Sequence, residues 1–391
     1  MITSIIIFIL IIGFLVLSHE FGHFIVAKIS GVKVEEFGLG FPPRVFGFFK
    51  ENGKIKFIFG AKKIETESTI YSLNLIPFGG FNKIFGEEVK DKEELSNPKS
   101  FNSRSITTRA MILLGGVTMN VLVAVLIFYF LLISNGFSAY QGLFFDYKFP
   151  LGHQKNFPII SYVAKDSPAE FAGLQPYDII IKENGKPFKD INNFLAFTKE
   201  NKGKEIILSV ENLKTKNISE IKVTPRTQFP EGEGPIGIGL SEVAELTYQG
   251  FAEKISAGFL HSFNILHYSM NGLGYMIKTS FSEHSVKPLA MSVAGPVGIF
   301  AVTKMTINIG AIQTFNLIAL ISLGFAITNI LPLPALDGGR LLFLLYEAIT
   351  RKRVSMKFEQ GANSIGFLII ILLAFLVIIK DIWQFKDILI K

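Results

Sequence analysis

Four stretches of this chain are apolar for long enough to cross a bilayer, which takes about 20 residues. They fall within 1–30, 109–135, 311–333 and 361–383. Hydrocarbon offers a backbone no water to bond to, so each stretch must close its own hydrogen bonds as a helix. The fold expected is therefore a membrane α-helical one with about four transmembrane helices, and 39 phenylalanines suit lipid better than water. The first stretch has no basic lead-in and no small-residue cleavage site, so it reads as a retained helix rather than a signal peptide.

Basic residues near span ends set the orientation. Lys28, Lys33 and Arg44 follow the first span, Arg104 and Arg109 precede or open the second, and Arg340, Arg351, Lys352, Arg353 and Lys357 lie between the third and fourth. Residues 31–108 and 334–360 are thus expected in the cytoplasm, and the region between spans two and three outside. The net charge of +7 fits a basic cytoplasmic face against anionic lipid. It does not point to nucleic acid, because the basic residues are interleaved with acidic ones and no basic-aromatic tract exists.

Between the spans the patterning changes. Residues 31–108 contain KIKFIFG and TIYSLNLI, punctuated by FGLGFPP and IPFGG, and read as a membrane-associated β region. The charged run at 86–100 reads as a loop. Residues 143–228 alternate apolar and polar positions, as in PIISYV and KEIILSVEN, which indicates a β-rich domain with one helix at about 191–199. Residues 229–310 mix apolar residues with Ser, Asn and His and are expected to form an amphipathic interfacial segment. Residues 334–360 read as a cytoplasmic loop and helix.

The first span carries LSHEFGH, an unusual load for lipid. His19 and His23 are four apart and share one helix face. Two imidazoles so placed can bind one zinc ion, with Glu20 as general base toward water there. A polar face packed on other helices is the plainer alternative. It leaves three polar groups in need of partners, at about 2.5–3.5 kcal/mol for an ionised group at a span centre. Hydrolytic zinc takes three protein ligands and keeps one position open. His153, His261, His267 and His284 all fall outside by this orientation and read as surface or interfacial residues. Asp337, in NILPLPALDGG just after the third span, emerges at a similar depth and is the best third ligand. Its alternative reading is an N-cap for the helix that follows. There is no cysteine, which excludes thiolate ligands, disulfides and a cysteine nucleophile.

HEFGH in the first span, NILPLPALDGG after a later one and SPAEFAGLQPYDIIIKENGKP between them resemble the site-2 protease family, in its bacterial regulator-of-sigma-E protease branch. FGLGFPPRVF, IPFGGFNKIFGE, AGPVGI and FNSRSITTRAMILLGGVTMN match further segments of that branch, Asn120 standing where it has an asparagine. Two departures stand out: Tyr177-Asp178 replaces a usual Gly-Asp, and Gly116-Val117 replaces Gly-Pro, a change expected to alter a kink more than the chemistry. The resemblance implies that 143–228 is an extracytoplasmic PDZ-like domain; only one such domain fits this chain, where some members have two. It implies that His19, His23 and Asp337 bind Zn2+, that Glu20 activates water, and that Asn329 holds substrate beside the metal. On its own residues Asn329 reads equally well as a helix cap.

The function so implied is zinc-dependent intramembrane proteolysis of single-span membrane proteins, such as anti-sigma factors or signal-peptide remnants, in a bacterial cytoplasmic membrane. A substrate helix must unwind before attack, and strands near 37–49 or 69–81 could hold it by strand addition. The PDZ-like domain would gate, space or bind a peptide C-terminus. The alternative is a catalytically idle membrane PDZ adaptor. A transporter ranks below both, because no second HExxH-like half is present. GEGPIG at 232–237 lacks a βαβ setting and is no dinucleotide site.

Overall fold

The computed structural model describes residues 2–62, 64–87, 97–212, 215 and 217–390. Most of the loop expected at 86–100 thus lies outside the described residues. The chain divides into two units, Met1–Leu131 with His261–Lys391, and Leu132–Leu260.

The first unit begins with α1, Ile2–Ile29, and α2, Ile106–Ser134. Both are apolar all round, yet each buries one stripe. On α1 it runs Ile11, Leu15, His19, His23, Ala27; on α2 it runs Ile112, Gly116, Asn120, Ala124, Phe128. Steps of four residues make such a ridge on a helix, and small residues let two ridges approach closely. A Cβ on Gly22 would lie 2.2 Å from the Gly115 carbonyl oxygen, so the helices cross backbone to backbone there.

Among the described residues four helices are long and apolar enough to cross a membrane: α1, α2, Ala311–Ile330 and Lys357–Lys386. The last two are α8 (Ala311–Ile330) and part of α10 (Met356–Ile390). Between them lies α9, Asp337–Thr350. Arg109 of α2 joins Glu347 of α9 at 2.7 Å, and Arg353 adds a second contact at 3.1 Å.

Residues 229–310 depart from the expected interfacial segment. They divide into strand β10 (Ile238–Thr247) and helices α5 (Phe251–Ser282), α6 (Lys287–Ser292) and α7 (Pro296–Ile309). Ile265 of α5 packs in one cluster with Ala124, Phe128, Ala319 and Leu323, among α2 and α8. His261, expected as a surface or interfacial residue, is buried with its ring 4.7 Å from that of Phe128. Helix α7 packs on α1 through Phe300 and Phe8. Its N-terminus receives Asp381 of α10, a fully buried carboxylate that accepts from Gly295 N–H at 2.9 Å and Gly298 N–H at 2.8 Å. A helix N-terminus is a natural anion seat, and Lys380 lies 2.7 Å from the other carboxylate oxygen. This is the structural use of the AGPVGI run: a Cβ on Gly298 would come within 2.9 Å of Asp381.

The same unit holds a sheet of β1 (Val34–Glu51), β2 (Lys54–Phe59) and β3 (Ile70–Ile84) in the order β2-β1-β3. β3 folds back on itself. Leu39 of β1 pairs with both Leu73 and Gly80, and Phe37 with both Tyr71 and Asn82. The final segment, Gly80–Ile84, thereby becomes a sheet edge, with no strand on its other side among the described residues.

The second unit is a seven-stranded sheet: β4 (Ser138–Leu143), β10, β5 (His153–Val163), β6 (Asp178–Glu183), β8 (Ile206–Asn212) and β9 (Ile218–Val223) in that spatial order, with β7 (Lys186–Pro187) on β6. Two helices complete it, α3 (Pro168–Ala172) and α4 (Ile191–Glu200). Its core gathers Ile160, Leu174, Ile180, Phe194, Leu208 and Val223. Ser167 and Asp190 cap the two helices by accepting from Glu170 N–H and Asn193 N–H, the usual use of these residues. The sheet runs wider than 143–228, because β4 and β10 lie beyond both limits.

Candidate metal centre

The buried stripe of α1 carries His19 and His23 inward because it is the stripe on which the helix packs. Their Nε2 atoms lie 3.1 Å apart. Asp337 Oδ2, from the first residue of α9, lies 3.1 Å from His19 Nε2 and 3.3 Å from His23 Nε2. The two glycines that follow let the chain turn tightly there. A Cβ on Gly338 would fall 2.1 Å from the Leu331 carbonyl oxygen, and one on Gly339 2.2 Å from that of Leu333. Asn363 of α10 completes the hold by accepting from Ala335 N–H at 3.1 Å.

Three donor atoms thus form a near-equilateral triangle. Tetrahedral zinc, with bonds of about 2.0–2.1 Å, sets neighbouring donors about 3.2–3.5 Å apart. The observed separations fit one such ion. Asp337 Oδ2 is also buried without a hydrogen-bond partner, although two imidazole nitrogens are near. The three atoms converge on one point, and an orphaned buried carboxylate oxygen calls for a cation.

Helix α2 forms the back wall. His23 Nδ1 lies 2.8 Å from the Ile112 carbonyl, to which it donates when Nε2 serves as a ligand. One turn on, a Cβ on Gly116 would stand 2.4 Å from His23 Nε2 and 2.6 Å from His19 Cε1. Gly116 therefore shapes the site directly. Neither contact was singled out in the sequence, though the spacing Ile112–Gly116–Asn120 is a four-residue stripe opposite the histidines.

Glu20, next along α1, is partly buried and within electrostatic reach of His23, His19 and Asp337. It lies under the sheet edge. A Cβ on Gly80 would meet Glu20 Cγ at 2.9 Å and Leu17 Cα at 3.0 Å, and Asn82 Nδ2 donates to the Glu20 carbonyl at 3.3 Å. The glycines of IPFGG let a strand pass directly over the helix beside the carboxylate. Asn329 sits in the last turn of α8, partly buried; no hydrogen bond among the described residues ties it to His19, His23 or Asp337. A cavity of about 1000 Å³, lined in part by Ala335, Arg340, Arg109 and Glu347, reaches the loop that carries Asp337.

Comparison with known proteins bears on this arrangement. Residues 7–373 match the model of peptidase family M50. A Clostridium acetobutylicum protein with a zinc-metalloprotease name is 31% identical over 97% of this chain and 97% of its own length. The zinc metalloprotease RasP of Oceanobacillus iheyensis is 26% identical over 97% of this chain and 99% of its own. A chloroplastic Arabidopsis thaliana protein with a membrane-metalloprotease name is 27% identical over 94% and 77%. A family match over nearly the whole length, a relative at this level over nearly all of both chains, and a convergent His-His-Asp triangle agree: the chain belongs to peptidase family M50.

Proposed function

We propose that this integral membrane protein is a zinc-dependent intramembrane endoprotease that cuts the transmembrane segments of single-span membrane proteins. The observation that carries this reading is the meeting of His19 and His23, on the long apolar helix α1, with Asp337 at the start of α9, their donor atoms within 3.1–3.3 Å. The zinc-metalloprotease names of its relatives support the choice of metal.

His19, His23 and Asp337 would hold the ion, which supplies a Lewis acid that makes water acidic near neutral pH. Glu20 takes the proton of the attacking water and returns it to the leaving amine nitrogen. Asn329 steadies the substrate carbonyl beside the metal. A peptide segment must be extended for attack, and the open edge of Gly80–Ile84 beside Glu20 offers it main-chain hydrogen bonds. The cavity at Ala335 and Arg340, with Arg109, Glu347 and Arg353 on its wall, would give water a way in. The membrane is read as a bacterial cytoplasmic one, and the charge bias at the span ends favours the basic loops facing the cytoplasm. It leaves Leu132–Leu260 outside, where a PDZ-like domain would bind a substrate's new C-terminus or gate its entry.

The test is cleavage of a single-span model substrate by the purified full chain in detergent, with products mapped by mass spectrometry. Cuts inside the span, stopped by a chelator and restored by zinc, are expected. A zinc-loaded, folded protein that cuts none of a panel of spans would leave a binding protein as the reading.

A further inference from the structure

Asn120 is fully buried in α2, one turn beyond Gly116. Its backbone carbonyl accepts from Ser322 Oγ at 2.8 Å, which fixes this turn against α8. Its side-chain amide lies beside His19, with Nδ2 3.3 Å from His19 Nδ1, while its Oδ1 is buried without a partner. With the amide so oriented, N–H donates to a lone pair on His19 Nδ1. The ring proton is then left on Nε2, the nitrogen that faces His23 and Asp337. That tautomer cannot bind a cation through Nε2.

The oxygen and nitrogen of a carboxamide occupy nearly the same volume, and exchanging them is a half-turn about one bond. In the exchanged orientation Oδ1 stands at the Nδ1 position and accepts Nδ1–H. The orphan oxygen is satisfied, and the Nε2 lone pair is aimed into the triangle. His23 already has the corresponding arrangement, its Nδ1 lying 2.8 Å from the Ile112 carbonyl. We infer that Asn120 is a positioning residue whose side-chain oxygen accepts His19 Nδ1–H and fixes the metal-binding tautomer of His19. This rests on the metal reading above. It adds that one α2 stripe supplies an acceptor for each histidine, a backbone carbonyl for one and a side chain for the other.

Partners of this kind are typically worth about 10–100-fold in metal affinity. The experiment is zinc competition with a chromophoric chelator, on the full chain in detergent, for wild type, Asn120→Leu and Asn120→Asp. Asn120→Leu removes the acceptor at similar volume and is expected to weaken zinc by about 10–100-fold. Asn120→Asp keeps an oxygen at Nδ1 and is expected to stay within a few-fold of wild type. A histidine-selective 15N spectrum of the zinc-loaded wild type should show His19 protonated at Nδ1. Asn120→Leu binding zinc as tightly as wild type would overturn the inference, as would Asn120→Asp losing as much affinity as Asn120→Leu. Should Asn120→Leu not fold, the Asp variant and the 15N tautomer decide the matter alone. Wild type that binds no zinc fails the metal reading itself; wild-type zinc with His19 protonated at Nε2 fails only the role of Asn120.

Discussion

Replacing Glu20 with glutamine is expected to lower cleavage by about 10²–10⁴-fold while zinc remains bound. The carboxylate is not one of the three atoms in the donor triangle, so removing its charge leaves the ion's ligands in place. Its side chain packs under Gly80 and its backbone carbonyl is held by Asn82. Glutamine has the same shape and keeps both contacts. What it lacks is a basic oxygen, and with it the means to take a proton from water and pass it to the amine. Zinc content and cleavage of the same substrate, measured on one preparation, check the result. Loss of zinc together with activity would mean that Glu20 acts on the metal rather than on the proton.

Gly116→Ala is expected to empty the site from the opposite side. Its Cβ would stand 2.4 Å from His23 Nε2 and 2.6 Å from His19 Cε1. Real Cβ atoms do not approach so closely, so one or both imidazoles must turn. Relief by moving α1 away from α2 would give up the close backbone packing of Gly22 against Gly115. Zinc affinity should fall by at least the roughly 10–100-fold that losing a supporting partner costs, and cleavage with it. Gly13→Ala on α1 is the control, since a Cβ there meets nothing within 4 Å. Equal zinc content in Gly116→Ala and wild type would show that the wall at α2 does not constrain the histidines.

The metal triangle was legible because each of its parts has a local cause. HEFGH places two imidazoles on one face by helical periodicity alone, and LPLPALDGG announces a break after an inward-running span. Their meeting needed a depth argument, which the basic loops supplied. What stayed hidden depended on partners far along the chain. Gly116 looks like any small residue until α1 is laid against it. Asp381 reads as one charge near the end of an apolar run, and only the N-terminus of α7 explains its burial. α5 and α7 carry enough Ser, Asn, Thr and His to look interfacial. Helix α5 packs against α2 and α8 with His261, Ser262 and Asn264 buried; on α7 Thr303 is buried and Lys304 donates to the Ile388 carbonyl of α10. The double pairing of β1 with both ends of β3 is a register property, which alternation cannot reveal. β10 escaped notice because a Pro- and Gly-rich stretch, 230–237, separates it from the strands it joins.

The most direct test of the central claim is zinc stoichiometry with X-ray absorption at the zinc edge, on the purified full chain and on Asp337→Ala. About one zinc per chain is expected, bound by two imidazole nitrogens and carboxylate oxygen at about 2.0–2.2 Å. Asp337→Ala is expected to lose the oxygen ligand and to bind the ion far more weakly. A folded wild type without zinc, or a ligand set that Asp337→Ala leaves unchanged, would contradict it.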